Sequence, residues 1–429
     1  MIVFFYFITV LEVIELIYSY IRTKKIFTVH TIFFVSIVLN FILYLCNWSS
    51  YFAISCQPLT FTIIIVAQIL VMFFDFLMLF RTSKDESFVD QSVRLKYFVI
   101  GRFKIYPSTV ILLITLFLSL IENYIGYGSF FPFLKNVDSH KNTVPIIGTL
   151  WRSMYPIGLL SFIYEMKYDK KNVISYMMVV LIFAFLLVGA GSRFWTFINF
   201  LTAFLFYFFL NKKKISKRSK IVILISSVLV CSVFIIMGSA RLQSGYSYEE
   251  AIGYNGPFKG TYFSYIFSWY YGYFPYSFYN LNLTLENIAT NNLYTNGQFF
   301  IMPFLTTLKL HKIFSIPDYS DLALSVRVIT NGSATVATAF FEFYADFQYL
   351  FFIPIAFYLF LFYLFERKNA LFNKGAYCYF LICWGLFSFY NVISVGIPYT
   401  FLLLWFIFCK VFVCKEEENS DINLVDHSS

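Results

Sequence analysis

Long apolar runs, separated by short basic loops and by one long polar segment, set the pattern of this chain. The runs cover residues 2–21, 26–46, 58–80, 107–121, 144–164, 173–188, 194–210, 221–238, 347–365, 376–390 and 397–413. Most approach the roughly 20 apolar residues that cross a bilayer as a helix. The pattern predicts an all-α, polytopic integral membrane helix bundle of about 11 (10–12) transmembrane helices. Residues 239–345 hold no clean span and are expected to form one large loop within a single membrane domain, 1–429. A polar tail, 415–429, is expected to be disordered.

Charge orients the bundle. Basic residues in alternate loops between the runs number 21 in one set and eight in the other. Short loops rich in Lys and Arg stay on the cytoplasmic side. The tail is then cytoplasmic, whereas the N-terminus, the loop 239–345 and Gly191-Ser192-Arg193 face outward.

Composition agrees with this reading. Charged residues are 13% of the chain and mean hydropathy is +0.72, against roughly 25% charged residues in a soluble domain. A transmembrane barrel would show segments of about ten residues with alternating polarity. No cleavable signal peptide is expected, because the first run lacks a basic flank before it and a small-residue cleavage site after it. The net charge of +9 comes mainly from the basic loops between spans, so no nucleic-acid partner is expected. Seven cysteines are scattered, with no CxxC pair, and HExxH and DxD patterns are absent. The expectation is therefore no metal and no cofactor. Cys46 and Cys56, flanking one outer loop, are read as two unpaired thiols.

Candidate chemistry concentrates at the outer boundary. Arg193 follows Gly191-Ser192 at the start of a span, and Arg241 follows Gly238-Ser239-Ala240 at the end of another. A guanidinium fork at such a place suits two phosphate oxygens; snorkelling to the interface is the alternative. Two such arginines could hold one diphosphate. Arg327, before Thr330-Asn331-Gly332-Ser333, is a third candidate anion contact. Arg152 lies inside a span, where an unpaired charge is expensive, so it must face the bundle interior or a cavity. Residues 262–279 are rich in aromatics, and Trp269 and Tyr271 could pack on sugar rings or anchor an interfacial or re-entrant segment. His311 could serve as a general base. Glu342 and Asp346, four residues apart, share a helix face; they could deprotonate an acceptor hydroxyl or serve in structural pairing.

With these features in place, the chain resembles the O-antigen polymerases, the Wzy-type oligosaccharide repeat-unit polymerases. The resemblance rests on the many spans, the Gly191-Ser192-Arg193 turn opening a late-middle span, and the large outer loop before the last spans. It rests also on Phe341-Glu342-Phe343-Tyr344-Ala345-Asp346-Phe347 entering the ninth span. In that family the Asp-Phe pair is usually followed by Gly, where this chain has Gln348. The resemblance covers most of the chain as architecture and few positions as motif.

It implies a metal-independent glycosyltransferase of the bacterial inner (cytoplasmic) membrane. Such an enzyme joins repeat units carried on undecaprenyl diphosphate into O-antigen, capsular polysaccharide or exopolysaccharide, on the outer side of that membrane. The implied partners are the lipid-linked oligosaccharide, membrane lipid, a chain-length regulator and a flippase. The leaving diphosphate needs fixed positive charge, which arginines can supply. A flippase or transporter of the same units, or an O-antigen ligase, remains an alternative.

Overall fold

The computed structural model describes residues 1–81, 93–100, 103–131, 144–168, 173–185, 193–210, 247–307, 317, 319–330, 336–367, 370–415 and 421–422. Along the chain its helices are α1 (Ile2–Thr23), α2 (Val29–Leu45), α3 (Pro58–Arg81), α4 (Pro107–Tyr127), α5 (Pro145–Tyr168), α6 (Val173–Ala184), α7 (Arg193–Leu210) and α8 (Tyr248–Ala251). There follow α9 (Tyr262–Tyr273), α10 (Pro275–Asn291), α11 (Gln298–Thr307), α12 (Tyr319–Val326), α13 (Phe340–Phe347), α14 (Phe352–Glu366), α15 (Leu371–Gly385) and α16 (Ile397–Phe412). Among the described residues, α1, α3, α4 and α5 are each long and apolar enough to cross a membrane. The segments Phe340–Leu350 and Phe352–Glu366 make a fifth span if taken together, bent by 111° between them. Helices α2, α7 and α16 are apolar but shorter. The apolar run 221–238 lies outside the described residues.

The structure refines three expectations. The long loop is largely helical where it is described, and Pro275 separates α9 from α10 because it has no amide to continue the helix. Residues 122–127 continue α4 rather than leaving it for a loop. The described residues are predominantly helical, as expected, and a few short strands form in what reads as loop and tail. Val93–Leu95 pairs antiparallel with Val413–Lys415. Tyr97–Ile100 pairs antiparallel with Phe103–Ile105 and parallel with Asp421–Ile422. The β-branched and aromatic residues of 93–105 favour this state.

The chain folds as two compact units. The first comprises Met1–Lys84, Ser216–Tyr363 and Cys383–Val395. At its centre Phe41 meets Phe5 and Phe61 edge-on, at 5.0 and 5.4 Å between ring centroids, and Phe278 at 5.4 Å. These rings bring α1, α2, α3 and α10 together. Asn282 of α10 accepts from the Gln57 amide and the Thr60 hydroxyl, both at 2.8 Å, and so fixes the start of α3. The uncharged loop 47–57 docks on the long segment. Ser49 donates to the Ile252 carbonyl (2.7 Å), the Trp48 amide to the Tyr271 hydroxyl (3.0 Å), and the Ala53 amide to the Tyr279 hydroxyl (3.2 Å). Cys46 and Cys56, at the two ends of that loop, are free thiols.

Ahead of α14 the backbone takes an unusual conformation. Gln348 adopts φ 50° and ψ −122°, a region that glycine enters freely and a residue with a Cβ enters under strain. This is the position at which the Asp-Phe-Gly pattern has its glycine.

The second unit comprises Asp85–Ile215, Leu364–Ile382 and Gly396–Ser429. Its core places Leu112, Trp151, Tyr155, Leu159 and Ile182 together. Glu165 accepts from the backbone amide and hydroxyl of Ser108, so a carboxylate of α5 caps the start of α4. Arg152 does not stand alone. Its two terminal nitrogens bind the two oxygens of Glu122 at 3.1 and 3.0 Å, and the Trp151 indole donates to the same carboxylate at 2.5 Å. A Cβ at Gly148 would fall on both partners, so glycine here leaves room for the ion pair.

Truncating one partner of this pair strands a buried charge. Arg152→Ala is expected to cost about 3–5 kcal/mol and to lower the melting temperature of the purified protein in detergent. Replacing both partners, as in Glu122→Leu with Arg152→Met, should recover most of that loss. Equal melting temperatures for wild type and Arg152→Ala would contradict the assignment.

Candidate functional site

The site is built on α10. Tyr276, Asn280, Thr284 and Asn287 recur at the helical period and form a polar row along it. Residues 326–330, and Val336, lie beside this row. Asn287 donates to the Val326 carbonyl (3.2 Å), the Val328 amide to the Thr284 hydroxyl (3.0 Å), the Thr330 hydroxyl to the Asn280 side-chain oxygen (3.2 Å), and Asn280 to the Val336 carbonyl (2.7 Å). Backbone that forms no helix or strand of its own thereby has its polar groups met by side chains.

Arg327 sits in this run, just past the C-terminus of α12, with its amide bonded to the Ala323 carbonyl. A cation at that end of a helix is favoured by the exposed carbonyls. It is half-buried, and its Nε is buried without a hydrogen-bond partner. Among the described residues it forms no ion pair. Its guanidinium has donor capacity left for an anion.

The other end of α12 is anchored by Glu342. The Tyr319 hydroxyl donates to one carboxylate oxygen at 2.6 Å. Asn391 and Ser394 donate to the other at 2.7 and 2.8 Å. Glu342 is 1% exposed. Burial, and then the adjacent carboxylate, push the Tyr319 phenol well above its ordinary range, so it keeps its proton and keeps donating. Asp346, one turn on, holds the start of α11. One oxygen accepts from the Thr295 hydroxyl (2.5 Å) and the Phe299 amide (3.1 Å), and the other from the Phe300 amide (2.7 Å). An acceptor there satisfies amides that the helix leaves open.

The sequence-nominated residues therefore part company. Glu342 and Asp346 do share a helix face, and their partners are neutral donors rather than an arginine. Arg327 belongs to the same unit, on the element that Glu342 anchors. Arg152 is committed to Glu122 in the other unit. Trp269 lies against Tyr248 at 3.8 Å with the rings 7° from parallel, an approach that Gly272 leaves room for. Tyr271 is fully buried and bonded to the Trp48 amide. Both rings are spent on internal packing. Arg241 and His311 lie outside the described residues, as does the side chain of Arg193. Sequence reasoning passed over Asn391 and Ser394. Two polar residues in the turn between the last two spans were the available signal, and their carboxylate partner is about 50 residues away.

No protein-family model matches the chain, and neither a curated protein nor a solved structure matches it.

If Glu342 positions α12 rather than moving a proton, shape matters more than charge. Glu342→Ala would leave several buried donors unmet and is expected to destabilise the protein by about 3 kcal/mol or more. Glu342→Gln keeps an acceptor and should retain most stability and most activity. Loss of activity in a Glu342→Gln protein of wild-type melting temperature would make this carboxylate a proton carrier instead.

Proposed function

We propose that this chain is a membrane glycosyltransferase that polymerises oligosaccharide repeat units carried on undecaprenyl diphosphate, on the outer side of a bacterial cytoplasmic membrane. The observation that carries the reading is Arg327, a half-buried guanidinium with an unmet Nε, held between the end of α12 and the polar row of α10. In this reading a sugar hydroxyl of the incoming unit attacks the anomeric carbon of the growing chain. The bond from that carbon to the diphosphate oxygen breaks, and the lipid diphosphate leaves with the electron pair. Arg327 meets the negative charge as it develops. Arg193 and Arg241 are proposed as further anion contacts. His311 is proposed as the base that takes the hydroxyl proton, since an unperturbed imidazole titrates near neutral pH.

Two further observations support the resemblance behind this proposal. Position 348 takes a backbone conformation suited to the glycine usual after Asp-Phe. The loop 47–57 and the segment 247–255 pair directly, through Ser49 and Tyr254, which suits the expectation that both face outward. Eleven spans with a cytoplasmic tail complete the proposed topology.

Deleting the gene should leave single lipid-linked units and no polymer ladder, and the wild-type chain should restore the ladder. At equal protein level, Arg327→Ala should lower ladder formation about 100-fold, the loss expected on removing one fixed donor to transition-state charge. Arg327→Lys should also be impaired, because the fork geometry is lost. Long lipid-linked chains in the deletion strain would point to a ligase, and units held in the cytoplasmic leaflet to a flippase. Either result overturns the proposal.

The topology has its own check. Ala289 and Ala370 are both exposed and fall in loops assigned to opposite sides. In a background with the seven native cysteines replaced, Ala289→Cys should react with an impermeant maleimide in intact cells. Ala370→Cys should react only after permeabilisation. The reverse pattern would invert the topology and remove the outward-facing site.

A further inference from the structure

Helices α1, α2 and α3 of the first unit enclose a polar cluster that the polymerisation reading does not use. Glu12 and Glu15 lie on one face of α1, three residues apart. His30 opens α2, and Gln68 and Asp75 belong to α3. His30 Nδ1 is 3.3 Å from an Asp75 oxygen, and His30 Nε2 is 3.4 Å from a Glu12 oxygen. Gln68 donates to the other Glu12 oxygen at 2.8 Å and reaches the Thr9 hydroxyl at 3.2 Å. Glu12, His30 and Gln68 are fully buried. Nevertheless one oxygen each of Glu12, Glu15 and Gln68, and the His30 Nε2, are buried without a hydrogen-bond partner.

Three carboxylates thus converge on a single imidazole in an apolar bundle, and none of them pairs with a Lys or Arg among the described residues. Charged groups at such a depth are expensive unless they are compensated. One donor atom from each of Glu15, His30 and Asp75 comes within 4.8 Å of the others. Ligand atoms around a tetrahedral ion with bonds of about 2.0–2.2 Å stand about 3.3–3.6 Å apart. The His30–Asp75 separation already matches that edge, and the half-buried Glu15 side chain can close the rest.

We propose that Glu15, His30 and Asp75 bind a divalent first-row transition-metal cation of the Zn2+ or Mn2+ kind. The set of one imidazole and two carboxylates suits such ions. His30 presents Nδ1 to the ion and turns Nε2 towards Glu12, which Gln68 holds in place. A carboxylate on the far nitrogen of a ligating histidine fixes its tautomer and its ring orientation. Glu12 is then a positioning residue. The cation fastens α1 to α2 and α3. It offsets two of the three negative charges. The expectation of no metal rested on cysteine spacing and short linear motifs, and neither registers ligands spread over three helices. The site does not rest on the polymerisation reading, and activity is not its readout.

The test uses the full-length, tag-free protein in detergent, stripped with a chelator and dialysed against Zn2+ alone. Metal analysis should find one Zn2+ retained per chain, and Zn2+ should raise the melting temperature. His30→Gln and Asp75→Asn should abolish retention, and Glu12→Gln should weaken affinity 10- to 100-fold. Should these variants fail to fold, Co2+ in the wild-type protein decides the matter. Its absorption should be that of an ion held by nitrogen and oxygen ligands in a low-symmetry site. A Co2+ spectrum matching the hydrated ion, or Zn2+ retention equal in wild type and His30→Gln, would overturn the proposal and leave His30 as a buried partner of two carboxylates.

Discussion

A carboxylate inside an apolar bundle must be met by donors, because neither lipid nor packed side chains can solvate it. This chain meets that demand repeatedly with groups from a different segment. Glu122 of α4 is closed by Arg152 and Trp151 of α5, and Glu165 of α5 by Ser108 of α4. Glu342 of α13 is closed by Tyr319 and by the turn holding Asn391 and Ser394, and Asp346 by the start of α11. Each acid therefore fixes the relation between two segments, which apolar packing alone leaves loosely specified. Packing chooses which faces meet, and the acids set the register at which they meet. The candidate site inherits its geometry this way, since Glu342 places Tyr319 and the same short helix delivers Arg327 to the polar row of α10.

Much of the helical scaffold was legible because apolar run length depends on local composition. The runs 2–21, 58–80 and 397–413 reappear as α1, α3 and α16 with ends shifted by a few residues. The long loop was less legible. The residues of α10 alternate Asn and Thr with apolar neighbours, which lowers the hydropathy by which spans are recognised, although the helix is buried. Polarity there signals internal hydrogen bonding rather than exposure to water.

The site was legible in its residue types and not in its pairings. Arg152 was expected to face the bundle interior or a cavity, and its partner sat in what read as a loop. Glu342 and Asp346 were placed on one face from their spacing alone. Their donors come from residues up to about 50 positions away, beyond the reach of any local pattern. Trp269 and Tyr271 show the converse limit. An aromatic cluster has the same composition whether its faces receive a sugar or one another, and Tyr248 and Trp48 decide between those uses.

The docking of the loop 47–57 carries a consequence for biosynthesis. Trp48 and Gln57 bond to Tyr271 and Asn282, which follow them by 223 and 225 residues. A ribosome delivers the first three helices long before it delivers α10. During that interval Phe41 lacks Phe278, and the amide of Gln57 lacks its acceptor. The early helices must wait in the membrane with an unfinished face, and contacts this distant in sequence close slowly. Arrest of synthesis before residue 275 would therefore release a chain whose first helices are inserted but not assembled, a natural substrate for membrane quality control.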